Sequence, residues 1–264
     1  MTNLIHLSQA HLNLLEICPP RFQQVYLNGL SSLPHPEQQE SIAWGSRFHQ
    51  IMQQRELGLP IESLLAADRE LASSITALLQ AAPDVLNSDR PVWREAEHCR
   101  THVIRDFLLT VVYDLIIAEE QTAKIFDWKT YRQPKNRAKL AKNWQTRLYL
   151  YVLAETSVYS PQQISMTYWF VKSDNPQSLT FPYNDELHAQ TEKDLTHLLN
   201  NLEQWLEAES LADVPFPHRA NCENTCPFYQ SFEAIASTDK VSTTGNPPQA
   251  DWLTSIAQIE EISI

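Results

Sequence analysis

The stretch KIFDWKT at residues 124–130, together with the run FLLTVVYDLIIA at residues 107–118, decides the fold of this chain. Both segments are rich in β-branched and aromatic residues and lack polar alternation, which is typical of strands buried on both faces. The polar segment AEEQT at residues 118–122 predicts a turn that pairs them. Each strand nevertheless carries charge, Asp114 in the first and Asp127 with Lys129 in the second.

Helical spacing lies on both sides of this strand pair. The pattern predicts an α/β (α+β) fold with an N-terminal helical elaboration, at about residues 30–85, before a core at about residues 90–210. The predicted helices cover residues 8–17, 36–57, 61–80, 143–155 and 185–209, and the further strands cover 92–99, 164–172 and 178–183.

Length and composition limit the class of protein. The 264 residues are enough for one large domain with appendages. The four cysteines, at positions 18, 99, 222 and 226, are too few for a disulfide scaffold and fit a reducing compartment. No basic leader precedes an apolar segment at the N-terminus, and no run of about 18 apolar residues occurs. We therefore expect a soluble cytoplasmic protein without membrane contact.

The net charge of −12 argues against nucleic-acid binding, but the distribution of charge reverses that expectation. Residues 124–147 contain eight basic side chains and a single acid, Asp127. Such a run predicts contacts with nucleic-acid phosphates, and a solvated charged face is the alternative. Besides Lys124 and Lys129, the basic residues are Arg132, Lys135, Arg137, Lys139, Lys142 and Arg147.

The charged residues of the two buried strands predict a metal site. Asp127 and Lys129 share a face because strand side chains alternate, and Asp114 can converge with them across the turn. Buried carboxylates need a compensating cation, and their hard oxygens suit Mg²⁺ or Mn²⁺. A lysine beside the metal can hold the attacking water or offset phosphoryl charge. Alternatively, Asp114 begins a turn, and Asp127 and Lys129 form a surface ion pair.

Several segments resemble, in order, the PD-(D/E)XK nucleases of the RecB-like group. Asp114 followed by IFDWKT at 125–130 is similar to that group's signature. The segment GSRFH at 45–49 is similar to its Gly-x-x-x-His element, and QTRLY at 145–149 is similar to its Gln-x-x-x-Tyr helix. The segment from LSQ at 7–9 to CPPRF at 18–22 is similar to its opening. The resemblance covers residues 7–232 and includes AddB-type subunits and CRISPR-associated exonucleases.

The resemblance implies a restriction-endonuclease-like mixed sheet flanked by helices and a metal-dependent nuclease. It implies that His49, Asp114 and Asp127 bind Mg²⁺ or Mn²⁺ and that Lys129 positions or activates the water. Gln145 and Tyr149 are then expected to contact the nucleic acid or support Lys129. The group tends to carry a glutamate on the preceding strand, so supporting roles are expected for Glu95 or Glu97, although both could simply be solvated.

The cysteines match the family incompletely. RecB-like enzymes often hold a [4Fe–4S] cluster with one early cysteine and three late ones. Cys18 matches the early position and Cys226 the late context, but Cys222 and Cys226 are one residue too far apart, and Phe232 occupies the last ligand position. We expect a metal-free remnant. A cluster completed by another group such as Cys99, or a Cys₃His zinc site with His218, is the alternative.

These features together predict a single nuclease domain over residues 1–235, followed by a linker and an amphipathic tail at 236–264. The expected function is metal-dependent DNA cleavage, preferring single strands or ends, in repair, recombination or CRISPR-type processing, with a helicase or a similar protein as a possible partner. Two alternatives stay open. One is a nucleic-acid-binding subunit with weak or no catalysis, since Val111 replaces a glycine common in the family. The other is a scaffold that acts through its tail.

Overall fold

The structure is a computed structural model that describes residues 4–30, 36–86, 92–131, 136–172 and 175–220. The chain divides into two compact units. The first unit consists of Met1–Gln9 and His35–Lys193, and the second of Ala10–Pro34 and Asp194–Ile264. The predicted single domain over residues 1–235 extends beyond the described residues and stays a prediction.

A six-stranded mixed sheet forms the centre of the first unit. Its strands are β1 (Ile5–Leu7), β2 (Trp93–Ile104), β3 (Phe107–Ala118), β4 (Ala123–Lys129), β5 (Ile164–Phe170) and β6 (Gln177–Pro182). The strand order is β1-β3-β4-β5-β6, and β2 also pairs with β3. The β2–β3, β3–β4 and β5–β6 pairs are antiparallel, whereas β1–β3 and β4–β5 are parallel. The predicted mixed α/β fold with helices before and around the sheet is confirmed.

Helices of the first unit pack on this sheet through apolar side chains. They are α3 (Pro36–Glu56), α4 (Glu62–Ala67), α5 (Arg69–Ala81), α6 (Pro83–Leu86), α7 (Arg137–Lys142) and α8 (Trp144–Thr156). Phe48 of α3 and Ile75 of α5 are fully buried in one cluster with Phe126 and Trp128 of β4. The fully buried Leu148 and Val152 belong to α8, which follows Asn143, whose side chain accepts a hydrogen bond from the Gln145 N–H.

The second unit contains most of α1 (Gln9–Ile17), α2 (Pro19–Phe22), a π-helical turn at Gln23–Leu27 and the later part of α9 (Asp185–Ala212). Phe22 and Phe216 stack with ring centroids 6.4 Å apart. The Gln23 side chain accepts from the Phe216 N–H at 3.1 Å and donates to Glu209 at 3.4 Å. The unit is therefore held by its own core and its own polar contacts.

Two helical predictions differ from the structure. The single helix predicted over residues 61–80 is wrong, because Asp68 has extended backbone angles and its side chain caps α5 by accepting from the Leu71 N–H. Asp68 therefore separates α4 from α5. Helix α7 was not predicted, because its sequence RAKLAK has no apolar periodicity; instead Asn136 caps it by accepting from the Lys139 N–H.

No helix in the described part of the chain is both long and apolar enough to span a membrane.

Candidate active site

The candidate site begins where β3 and β4 stop pairing. Leu115 and Phe126 are the last paired residues, so Asp114 and Asp127 lie directly beyond them on facing strands. Asp114 Oδ2 accepts the backbone N–H of Trp128 at 2.6 Å. The carboxylate thus satisfies a strand N–H that the ladder has released, and this contact fixes the side chain at the point of separation.

A distortion of β2 brings Glu97 to the same place. Ala96 pairs with Leu115 and His98 with Tyr113, which puts Glu97 opposite Asp114 without any inserted residue. Glu97 has a φ of 51°, a left-handed conformation that is strained for a residue with a Cβ. Strained backbone inside a strand is characteristic of functional sites, where the surrounding structure holds a side chain in an unusual direction.

His49 completes a group of three candidate metal ligands. Its Nδ1 lies 3.3 Å from Asp114 Oδ1 and 3.9 Å from Glu97 Oε1. One ligand atom from each residue lies within 4.8 Å of the others, and all three side chains are partly buried. Three separate elements, α3, β2 and β3, therefore direct one imidazole and two carboxylates to one point.

Gly45 explains how α3 comes close enough to supply His49. A Cβ at position 45 would lie 3.0 Å from the hydroxyl oxygen of Thr130, just after β4, which is closer than most real Cβ contacts. The missing side chain thus allows the helix to approach the end of β4. His49 follows one turn later on the same face of α3.

Asp127 and Lys129 form a buried ion pair beside this group. Lys129 Nζ lies 2.7 Å from Asp127 Oδ1, and Gln145 Nε2 donates to Asp127 Oδ2 at 2.6 Å. Gln145 belongs to the first turn of α8, so the capped start of that helix orients the carboxylate. Asp127 is not part of the three-residue ligand group. Its role as a metal ligand stays a prediction, as do the other proposed roles.

Two buried tyrosines border the ion pair. Burial, and secondarily the charges of Asp127 and Asp114, raise the pKa of Tyr149 well above its usual value. Burial and the Asp127 charge likewise raise the pKa of Tyr168, whose ring centroid lies 5.2 Å from Lys129 Nζ. Both phenols therefore stay protonated and can act as hydrogen-bond donors.

The ligand group has the chemistry of a divalent-cation site. Carboxylate oxygens suit Mg²⁺ and Mn²⁺, and an imidazole nitrogen is a common further ligand for transition metals. Two carboxylates facing each other from β2 and β3 also repel unless a cation lies between or beside them. His49, Glu97 and Asp114 therefore fit the metal that the sequence predicts.

The basic residues occupy different surroundings. Lys139 and Lys142 are exposed on α7. The Arg137 guanidinium lies 4.6 Å from the Phe181 ring centroid and donates to the Thr180 carbonyl. Arg147 lies 4.5 Å from the Trp144 ring centroid, so both arginines are held on the protein surface. Arg132 and Lys135 lie outside the described residues.

Other predicted site residues are not brought together with this group. Glu95 is exposed, and its Oε2 lies 3.0 Å from His98 Nδ1. Cys18 is half-buried and Cys99 is exposed, and neither forms a disulfide with a described residue. Cys222, Cys226 and Phe232 lie outside the described residues, so the cluster and zinc alternatives stay predictions.

Sequence reasoning did not identify Tyr168 or the place of Glu97 among the ligands. Tyr168 lies beside Asp127 because β4 and β5 pair in parallel, a register that no local pattern reveals. Glu97 and Glu95 are equivalent in the alternating sequence. In the structure, Glu97 lies opposite Asp114 with a left-handed backbone, whereas Glu95 pairs with Ile116.

Known proteins resemble this chain in sequence and in fold. The family model described as the PD-(D/E)XK nuclease superfamily matches residues 6–231. A candidate exonuclease from Eubacterium rectale has a similar fold, with a TM-score of 0.55 at 11% identity over 92% of this chain and 91% of that chain. The structure of SSO0001 has a TM-score of only 0.32 at 13% identity, over 80% of this chain and 88% of that chain. No curated protein matches the sequence significantly.

Proposed function

Because the chain belongs to the PD-(D/E)XK nuclease superfamily, we propose that it is a metal-dependent deoxyribonuclease that hydrolyses phosphodiester bonds. The observation that carries this proposal is the group of His49, Glu97 and Asp114 beside the buried Asp127–Lys129 pair. A site with no chemical task has little reason to keep so many charges away from water, since burying charge is costly.

His49, Glu97 and Asp114 would hold Mg²⁺ or Mn²⁺, with Asp127 as a further candidate ligand. A cation bound there supplies positive charge against the phosphoryl oxygens and favours ionisation of water. The protein's own contribution is positioning: the Trp128 N–H fixes Asp114, and α3 fixes His49.

Lys129 is the residue that acts on the reacting groups. Asp127 holds its ammonium by an ion pair, and only 4% of the lysine side chain is exposed, so the charge is oriented before substrate arrives. The ammonium can donate to the attacking water or to a phosphoryl oxygen as charge develops there. Gln145 keeps Asp127 in place, and the buried, protonated Tyr149 would support the Asp127–Lys129 pair as a hydrogen-bond donor.

The substrate proposal rests on the basic surface of α7 and on the family. Lys139 and Lys142 would neutralise DNA phosphates near the site. Exonuclease action is proposed because a protein of similar fold is described as a candidate exonuclease. The proposed preference for single strands or ends rests on the resemblance to the RecB-like group. We further propose cytoplasmic action in repair, recombination or CRISPR-type processing, alongside a helicase or a similar partner.

One observation favours a catalytically weak DNA-binding subunit instead. Asp127 is engaged by Lys129 and Gln145 and lies outside the ligand group, so the ion pair must rearrange before Asp127 can join a metal. If that rearrangement does not occur, the site would bind DNA with little cleavage.

The two functions are separated by incubating the purified protein with labelled single- and double-stranded DNA in Mg²⁺, Mn²⁺ or chelator. The nuclease proposal predicts metal-dependent cleavage that Glu97→Gln abolishes and Glu95→Gln, a matched exposed acid on the same strand, retains. Binding without cleavage in every metal would favour the binding subunit. Absence of both binding and cleavage would contradict both functions.

A further inference from the structure

The second buried tyrosine, Tyr168, lies directly under the ammonium of Lys129. Tyr168 is fully buried on β5, and Asp127 is its partner in the parallel β4–β5 register. Lys129 Nζ lies 5.2 Å from the centroid of its ring. The ammonium therefore has a carboxylate on one side and an aromatic ring on another.

A chain of hydrogen bonds fixes the orientation of that ring. The Thr146 hydroxyl has one proton, which it donates to the Leu140 carbonyl at 2.7 Å. The 2.7 Å contact between the Thr146 and Tyr168 hydroxyls must then use the Tyr168 proton. Burial raises the pKa of Tyr168, so the phenol keeps the proton that it donates in this contact. The ring is thus tied to both α7 and α8.

We propose that Tyr168 is a positioning residue for Lys129, a role that rests on the proposed nuclease function. A cation over an aromatic face is attracted by the ring quadrupole, and more strongly where water is excluded. The ring and Asp127 together leave the ammonium few orientations, so its donors point to the reacting groups. Without the ring, the flexible four-carbon stem of Lys129 can direct the ammonium elsewhere.

The test compares Tyr168→Leu, which removes the ring, with Tyr168→Phe, which removes only the hydroxyl. We expect Leu to lower kcat for DNA cleavage by about tenfold or more at nearly constant KM, the scale of a desolvated cation–π contact. Phe should cleave several times faster than Leu. Tyr151→Leu is the matched control, since Tyr151 is also a buried tyrosine but its ring contacts His102 and His188. All assays are run well below the melting temperature of each variant.

A double-mutant cycle with Lys129→Met distinguishes positioning from a general loss of packing. If Tyr168 acts through Lys129, the Leu substitution should change the residual single-turnover rate less than twofold in the Lys129→Met background. The proposal would be overturned if the effects of the two substitutions on the rate multiplied in the double variant. It would also be overturned if Tyr168→Phe were as slow as Tyr168→Leu, or if Tyr151→Leu lost as much kcat as Tyr168→Leu. A wild-type protein that never cleaves overturns the nuclease function itself, whereas normal cleavage by Tyr168→Leu overturns only this inference.

Discussion

Lys129 Nζ lies 2.7 Å from Asp127 Oδ1, and the two side chains are only 4% and 2% exposed. Removing two charges from water costs several kcal/mol for each ion, and their mutual attraction often fails to offset that cost. The hydrogen bond from Gln145 satisfies part of the remaining demand on Asp127. The pair is therefore poorly explained by stability and well explained by a reaction that needs an oriented ammonium.

Replacing Lys129 should separate stability from activity. Lys129→Met keeps much of the side-chain stem but leaves the Asp127 charge buried, so we expect the melting temperature to fall and cleavage to drop by about 10²–10³-fold. The double variant Asp127→Asn with Lys129→Met should recover much of the melting temperature without recovering cleavage, because no unpaired charge stays buried. Recovery of cleavage in the double variant would contradict the role of Lys129.

The sequence predicted the strands that carry the acids because both are continuous apolar runs with few charges. The resemblance to the RecB-like group also predicted Gly45 and His49 as one motif, and the close approach of Gly45 to Thr130 gives that spacing a physical reason. Such features are local, since a few neighbouring residues determine them.

Other features depend on long-range register and could not be read locally. The strained backbone that separates Glu97 from Glu95 arises where β2 passes Asp114, 17 residues further along the chain. Tyr168 reaches Lys129 through a parallel pairing across α7 and α8. Helix α7 depends on the Asn136 cap within a sequence whose charges suggested only a basic run.

Divalent metal should stabilise the folded protein. A ligand that binds only the folded state adds RT ln(1 + [L]/Kd), or about 2.7 kcal/mol at a concentration of 100 Kd. We therefore expect Mg²⁺ or Mn²⁺ to raise the melting temperature of the wild type and of Glu95→Gln. Glu97→Gln should lose this shift while its metal-free melting temperature is unchanged or higher, because repulsion with Asp114 is removed. A wild-type melt indifferent to millimolar metal would argue strongly against the site.

The left-handed backbone at Glu97 should carry a measurable cost. Glycine adopts this conformation without a Cβ clash, so Glu97→Gly should be more stable than Glu97→Ala by about 1 kcal/mol in metal-free urea unfolding. Both variants lose the carboxylate, so the comparison isolates the backbone. Equal stability, or a more stable alanine variant, would show that the strand is not strained at this position.

Alkaline pH should destabilise the protein through its buried tyrosines. Burial raises the pKa of Tyr113, and the same cause acts on Tyr149 and Tyr168. The unfolded chain releases phenolic protons near pH 10 while the folded state keeps them, so the free energy of unfolding falls as pH rises above about 10. Urea unfolding between about pH 9 and 11 should show this fall. In Tyr113→Phe, the slope of the free energy of unfolding against pH should be shallower by the equivalent of up to about one bound proton. An unchanged slope in that variant would mean that Tyr113 titrates normally in the folded protein.

The two exposed lysines of α7 provide the sharpest test of DNA contact. The double variant Lys139→Ala with Lys142→Ala removes charge from two exposed side chains, whereas the Arg137 guanidinium packs against the Phe181 ring. If each lysine neutralises one phosphate of single-stranded DNA, affinity should fall and the slope of log K against log[salt] should flatten by about 0.7 for each contact. Lys193→Ala, an exposed lysine on α9, is the matched control and should leave the slope unchanged. If the α7 variant and the wild type have the same salt slope, the basic run is a solvated face. If Lys193→Ala flattens the salt slope as much as the α7 variant does, DNA binding depends on overall charge rather than on α7.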